Sequence, residues 1–162
     1  VDLYLKSGAD KISINTEAFL NPDILKQIIE IYGSQVMTLS IDVKKINEKY
    51  EIFINNGQKR IDVSLEEYIY KMQKIGIGEI LINSIDKDGT LEGYDLELLK
   101  LVKKISDVPV ISLGGAGNWK HFSEAVSITD IDAVATNNIY HFTENSIISA
   151  KNYLKKNGLN FR

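Results

Sequence analysis

Residues 36–42 (VMTLSID) decide the fold class of this 162-residue chain. The first six residues form a nearly continuous apolar run, which is typical of a parallel strand covered on both faces, and an acidic residue follows at once. Similar short runs, rich in β-branched residues, occupy residues 11–14, 79–82, 108–113 and 131–135. Segments with helical spacing separate all five. This alternation predicts an α/β protein with a parallel sheet.

The segments between the strands carry helix signals. A helix is predicted after Asn21-Pro22 and ends at Gly33. Ser64 with Glu67 predicts a capping box, and Asp95 is a second N-cap. The last helix is predicted to begin at Thr143.

One interruption breaks the alternation. Residues 50–54 and 59–63 alternate as strands do, and Asn55-Asn56-Gly57 lies between them. Because Asn-Gly favours a primed two-residue turn, this segment is predicted to be a β-hairpin.

Composition limits the class of protein. With 44% hydrophobic residues and a net charge of −3, the chain is expected to form one domain over residues 1–162, without nucleic acid or a membrane as partner. No apolar run reaches 18 residues. The absence of cysteine excludes disulfides and thiolate zinc sites and fits the cytoplasm. Apolar residues before Gly8 resemble the end of a helix, so the chain is expected to be part of a longer protein.

Polar residues and glycines collect where the predicted strands end. The carboxyl ends of parallel strands form the active face of both barrels and open α/β sheets. These residues are Asn15-Thr16, Asp42, residues 83–90 (NSIDKDGT), Gly114-Gly115 and Asn137-Asn138. The sequence therefore predicts a site at this edge, although periodicity alone does not distinguish an open sheet from a closed barrel.

Acidic residues are the candidates for chemistry at that edge. A carboxylate at Asp42 suits general acid–base catalysis, and the alternatives are a helix cap or an ion pair with Lys44 or Lys45. Asp86 and Asp88 lie in a tight turn, where a structural role is the more common one. An EF-hand is excluded because its spacing and terminal glutamate are absent.

The glycine run at residues 114–117 (GGAG) follows a strand and precedes a helix. Glycines let backbone N–H groups approach an anion, so phosphate is the predicted ligand. The run does not match the dinucleotide fingerprint. His121 and His141, the two histidines, have no metal-ligand spacing to acidic residues, so neither a metal nor a cofactor is expected.

These segments together resemble one known family, the cyclase subunit of imidazole glycerol phosphate synthase. The similar segments, which span nearly the whole chain in order, are 8–16 (GADKISINT), 33–35 (GSQ), 41–44 (IDVK), 78–81 (GEIL), 84–90 (SIDKDGT), 93–95 (GYD), 114–117 (GGAG) and 154–156 (LKK). The resemblance implies a (β/α)₈ TIM barrel of the ribulose-phosphate-binding type, of which strands 4–8 are present and the N-terminal strands are lacking. It also implies a lyase of histidine biosynthesis. With ammonia from a glutaminase subunit, that enzyme converts a bisphosphorylated formimino-aminoimidazole carboxamide ribotide to imidazole glycerol phosphate.

The resemblance also implies roles for single residues. The catalytic residues would be Asp42 and Asp88, and a second acid–base aspartate would lie in the first strand of the barrel, before Val1. Substrate and phosphate contacts would come from Asn15, Thr16, Asn83, Ser84, Gly114, Gly115, Asn137 and Asn138. The ammonia path and the partner interface would involve Asp10, Lys11, Gln35 and Glu79.

Three residues on the active face depart from the family pattern. Asn83 replaces a usual Thr, Leu113 a usual Ser, and Asn138 a Ser that helps bind phosphate. These changes resemble paralogues in which the barrel, a glutaminase and a sugar amidotransferase act in glycosyl amidation for surface polysaccharides. That function is the alternative, and an unrelated sugar-phosphate isomerase barrel is a third.

Overall fold

A computed structural model describes residues 1–142 and 146–159 of the chain. The predicted helix start at Thr143 lies outside these residues. The strands are β1 (Ile12–Ile14), β2 (Met37–Ile46), β3 (Lys49–Ile54), β4 (Lys59–Ser64), β5 (Glu79–Ser84), β6 (Val110–Leu113) and β7 (Ala133–Val134).

The strands form one mainly parallel sheet in the order β4-β3-β2-β5-β6-β7, with β1 also paired to β2. The five predicted parallel strands are confirmed, and they neighbour one another in chain order. Within the described ranges, no strand pairing closes this sheet into a ring. The chain is therefore an α/β protein whose parallel strands are joined, at one edge of the sheet, by the antiparallel strands β3 and β4.

One edge of β2 is shared by two strands. Its first three residues pair in parallel with β1, and residues 42–46 pair antiparallel with β3. Between β2 and β3 lies a two-residue turn in which Asn47 and Glu48 have φ values of 48° and 63°. β2 therefore continues to Ile46, and the expectation that the strand ends before Asp42 is wrong.

The β3–β4 hairpin is confirmed, but its predicted two-residue turn is wrong. Ile54 pairs with Lys59, which leaves a four-residue loop. Three consecutive loop residues, Asn55, Asn56 and Gly57, have φ values between 54° and 75°. The Asn-Asn-Gly sequence therefore supplies the left-handed backbone that was expected, in a longer loop.

The helices are α1 (Asp2–Lys6), α2 (Thr16–Leu20), α3 (Asp23–Tyr32), α4 (Leu65–Ile75), α5 (Leu96–Ile105), α6 (Trp119–Thr129), α7 (Asn138–Phe142) and α8 (Ile147–Lys156), with a 3₁₀ turn at Ser34–Val36. Both predicted N-caps accept a bond: the Ser64 hydroxyl from Glu67 N–H, which is one of the two bonds of the predicted capping box, and the Asp95 carboxylate from Leu98 N–H. The short helices α2 and α7 carry no clear signal in the sequence.

The core lies between the sheet and the helices. Alternate side chains of β2, such as Leu39 and Ile41, are at most 1% exposed. Residues of the other face, such as Ser40 and Asp42, are only partly buried. The prediction of strands buried on both faces therefore holds for the helix-covered face alone.

Candidate active site

Asp42 lies on the half-buried face of β2, near the carboxyl edge of the parallel sheet. Its Oδ1 accepts a hydrogen bond from Asn83 Nδ2 (3.0 Å), and its Oδ2 accepts one from Asn15 Nδ2 (3.3 Å). Asn83 is the direct neighbour of Asp42 in the β2–β5 register. Both carboxylate oxygens are thus held by carboxamides. The helix cap and lysine pairing that the sequence left open are not what the structure shows.

A cavity of about 330 Å³ opens beside this carboxylate. It brings together both predicted catalytic acids, Asp42 and Asp88, with Asn83. The tip of the hairpin forms another wall through Asn56 and Gly57, which sequence reasoning had not placed in the site. The two acids therefore line one space that is large enough for part of a small-molecule substrate.

A second, smaller cavity of about 30 Å³ lies at the glycine pair. It is lined by Gly114, Gly115, Asn137 and Asn138, four of the predicted phosphate-binding residues, and Asp88 borders both cavities. The two predicted subsites are therefore adjacent.

The departures from the family pattern have different positions around these cavities. Leu113 lines the smaller cavity together with Asn138. Asn83, in contrast, lines only the larger one, beside the carboxylate of Asp42.

The glycines are required by close backbone contacts. A Cβ on Gly115 would lie 2.1 Å from the carbonyl oxygen of Gly93, and one on Gly114 would lie 2.8 Å from the carbonyl oxygen of Ser84. Both residues also have φ near +90° to +102°. The loop after β5 therefore packs directly on the glycine turn after β6.

Part of the expected anion cradle is already occupied. Gly117 N–H donates to Nδ1 of His121 (3.1 Å), and the Asn118 side chain accepts from the N–H groups of Lys120 and His121 at the start of α6. These N–H groups are not available to a ligand. A phosphate here would have to bind to the backbone of the turn before Gly117.

Thr16 is held by the hairpin. Its Oγ1 accepts from Asn55 N–H (2.9 Å) and donates to Asn15 Oδ1 (3.2 Å). This residue, expected to contact phosphate, therefore connects the hairpin tip to the residue that holds Asp42.

The segment around the β2–β3 turn is fixed to the loop after β5 and to the start of α5. Lys45 Nζ pairs with Glu97 (2.8 Å), and Lys45 N–H donates to Asp86 (2.7 Å). Tyr50 Oη donates to Asp95 (3.0 Å). Burial and the neighbouring Asp95 raise the pKa of Tyr50, so its hydroxyl remains a donor. Asp86 thus has the structural role that its turn sequence favoured.

Ser84 is set apart from the other predicted site residues. It is 3% exposed and its hydroxyl approaches Asp95 (3.5 Å), on the face of β5 opposite Asn83. Neighbouring residues of a strand point to opposite faces, so Asn83 and Ser84 do not both reach the cavity with their side chains. The alternation of side chains along β5 could have been used on the sequence alone to separate Ser84 from Asn83.

The residues predicted for the ammonia path and partner interface lie at the opposite, amino edge of the sheet. Glu79, at the start of β5, accepts from Lys11 Nζ (2.5 Å) and from Thr38 Oγ1 (2.6 Å). Asp10 and Gln35 are exposed in the segments that lead into β1 and β2. Thr38 was not identified from the sequence, because nothing in its own strand indicates that its hydroxyl contacts Glu79.

Residues 1–142 and 146–159 offer neither a metal cluster nor a membrane-spanning helix. They contain no group of three or more acidic or histidine side chains suited to a metal ion. No helix in them has the length and apolar character needed to cross a membrane.

The fold and the site define a class: an α/β protein whose parallel sheet presents an acidic cavity and a glycine turn at its carboxyl edge. A model of the family described as "Histidine biosynthesis protein" matches residues 1–146. The chain therefore belongs to the histidine biosynthesis protein family.

Curated relatives agree with this assignment. The chain is 46% identical to the imidazole glycerol phosphate synthase subunit HisF of Clostridium botulinum (strain 657 / Type Ba4), over 98% of the chain and 63% of the relative. The HisF subunits of Chlorobaculum tepidum and Thermotoga sp. (strain RQ2) are 41% and 40% identical, over 96% of the chain and 62% and 61% of the relatives. The chain thus spans less than two thirds of the length of these relatives.

Proposed function

We propose that the natural protein containing this chain is the cyclase subunit of imidazole glycerol phosphate synthase. It would use ammonia to convert a bisphosphorylated formimino-aminoimidazole carboxamide ribotide to imidazole glycerol phosphate, with release of an aminoimidazole carboxamide ribotide. The observation that carries the proposal is the carboxylate of Asp42, held by Asn15 and Asn83 beside the cavity it shares with Asp88. The relatives named above support it, since all are HisF subunits.

The partial barrel is part of this proposal. The five parallel strands follow one another in chain order, as strands 4–8 of a (β/α)₈ barrel would. The half-buried face of β2 and β5 would then line the interior, and further strands would cover it. The chain would form a single domain with them.

Asp42 would act in proton transfer. Ring closure and cleavage both move protons on nitrogen, and a carboxylate in a partly closed cavity is suited to accept and return them. The two carboxamides donate to its two oxygens and so fix the orientation of the carboxylate. Asp88, at the border of the two cavities, would contact the substrate near one phosphate.

One phosphate of the substrate would bind at the glycine turn. The cavity there has room for only about two water molecules, so the phosphate would lie at its mouth, between the turn and Asn138. The second phosphate would lie toward Asn15 and Thr16. To bind a phosphate there, the hydroxyl of Thr16 would have to give up the hydrogen bond that it accepts from Asn55 N–H.

The amino edge would receive ammonia from a glutaminase subunit. The Lys11–Glu79 ion pair and the Thr38 hydroxyl form a polar cluster on the face of the sheet that also carries Asp42. Ammonia entering there would travel along that face to the cavity. A cytoplasmic location goes with this proposal, because phosphorylated substrates do not cross membranes unaided.

The test is a steady-state assay of the natural protein with ammonium ion and the bisphosphorylated ribotide. Asp42→Asn should lower kcat by about 10²–10⁴-fold, the usual contribution of general acid–base catalysis. Asp62→Asn, an exposed aspartate on β4, is the matched control and should retain activity. Absence of product from the wild-type protein at high enzyme concentration would refute the proposal and leave the sugar-amidation alternative.

A further inference from the structure

Asn83 makes a contact that its predicted role does not explain. As a substrate-binding residue it would offer its carboxamide to the cavity. Instead, its Nδ2 donates to Asp42 Oδ1 at 3.0 Å, within the β2–β5 register. The contact joins two side chains that lie 41 positions apart in the sequence.

The other end of the same carboxamide is left without a partner. Asn83 Oδ1 is buried and accepts no hydrogen bond from the described part of the chain. Rotating the amide would turn this oxygen toward the Asp42 carboxylate, where two acceptors would repel each other. The bond to Asp42 therefore determines the orientation of the Asn83 carboxamide and leaves its Oδ1 without a hydrogen bond.

The glycine turn makes room for this arrangement. A Cβ on Gly114 would lie 2.8 Å from Asn83 Oδ1, so only glycine lets the unpartnered oxygen occupy this position. A buried unsatisfied acceptor in a folded protein calls for an explanation, and orientation of a neighbouring functional group is one. Because the atom is buried, a substrate would not reach it.

We propose that Asn83 is a positioning residue that holds the Asp42 carboxylate in its reactive direction, opposite Asn15, and that it is not a phosphate contact. The proposal rests on the proposed acid–base role of Asp42. It assigns a specific task to one of the three residues that depart from the family pattern.

The kinetic test uses the natural protein with Asn83→Leu, which keeps the shape of the side chain and removes the donor. We expect kcat to fall by about 10–100-fold while KM for the ribotide changes less than about threefold, as for an interaction made in the transition state. Asn83→Thr returns a hydroxyl donor and should recover most of kcat. In an Asp42→Asn background, Asn83→Leu should have almost no further effect, because the two residues act as one unit.

Other outcomes have distinct meanings. A rise in KM with unchanged kcat, or an equal loss in both backgrounds, would overturn the proposal in favour of a substrate contact or a purely structural role. A wild-type protein with no cyclase activity would instead refute the proposed function.

A measurement that needs no activity keeps the two apart. The side-chain amide protons of Asn83 should shift by NMR between the wild-type protein and Asp42→Asn, since the charged acceptor is lost. The side-chain amide of Asn157, which donates to Tyr153 O on α8, is the reference and should not move. Unchanged Asn83 resonances would overturn the proposal whatever the enzyme catalyses.

Discussion

Replacing Gly115 by alanine should destabilise the natural protein severely. The residue has φ of +102°, and its added Cβ would lie 2.1 Å from the carbonyl oxygen of Gly93. A contact this short with main-chain atoms is relieved only by moving one of the two loops apart. The hydrogen bond from Gly93 N–H to Gly115 O (2.8 Å) connects the same loops and would be lost with that movement.

The expected magnitude has three parts. The left-handed backbone costs alanine about 1–2 kcal/mol. Overpacking in a closed contact adds about 1–3 kcal/mol, and the lost hydrogen bond adds about 1 kcal/mol. The free energy of unfolding should therefore fall by about 3–6 kcal/mol, a large part of the ~5–15 kcal/mol that stabilises a typical domain.

Gly8→Ala provides the matched control. Gly8 has the same φ of +102°, but no atom lies within 4 Å of its added Cβ. Only the backbone cost of about 1–2 kcal/mol applies there. The difference between the two variants, about 2–4 kcal/mol, isolates the packing of the two loops.

Urea unfolding monitored by circular dichroism measures both variants against the wild-type protein. A lower midpoint with an unchanged slope reports stability alone. Equal midpoints for Gly115→Ala and Gly8→Ala would refute the reasoning, since the loop contact would then contribute nothing. If Gly115→Ala does not fold at all, its loss of stability lies at or above the upper end of the expected range.

Two further predictions concern other parts of the sheet. Partial burial would raise the pKa of Asp132, but hydrogen bonds from Lys103 and from Val110 N–H outweigh it and lower that pKa. The stabilisation is then present above the unfolded-state pKa of about 4 and is lost as the pH falls through the folded-state value. Asp132→Asn should cost about 1 kcal/mol at pH 7 and less below pH 4, by urea unfolding; a constant difference would contradict this. Thr38→Val removes a donor from the Glu79 carboxylate and should cost about 1–3 kcal/mol, whereas Thr38→Ser should not, and equal midpoints for the two variants would argue against the bond.

The sequence was sufficient for the order of elements because that order depends on local signals. The apolar run of residues 36–41 predicted β2, and the caps at Ser64 and Asp95 predicted α4 and α5. The predicted end of β2 was wrong because the strand continues to a turn at Asn47 and Glu48, both of which have a left-handed backbone. A glutamate rarely adopts that conformation, so the turn has no reliable signature.

The site was predicted as a set of residues but not as a set of contacts. Strand ends identified Asp42, Asp88 and the glycine pair, which the structure brings around adjacent cavities. The bonds that hold Asp42 come from Asn15 and Asn83, 27 and 41 positions away. Such contacts depend on the register between strands, which spacing along one strand does not contain.

The shared edge of β2 has a consequence for how the sheet tolerates change. Ser40 lies between the residues that pair with β1 and those that pair with β3. The side chain of Asn15 enters at this fork and donates to the Ser40 carbonyl (3.1 Å) with the same nitrogen that reaches Asp42. An insertion or deletion that moved β3 along β2 would widen or close the fork and displace Asn15. The register of β3 on β2 is therefore coupled to the orientation of the Asp42 carboxylate through Asn15, a residue that belongs to neither strand.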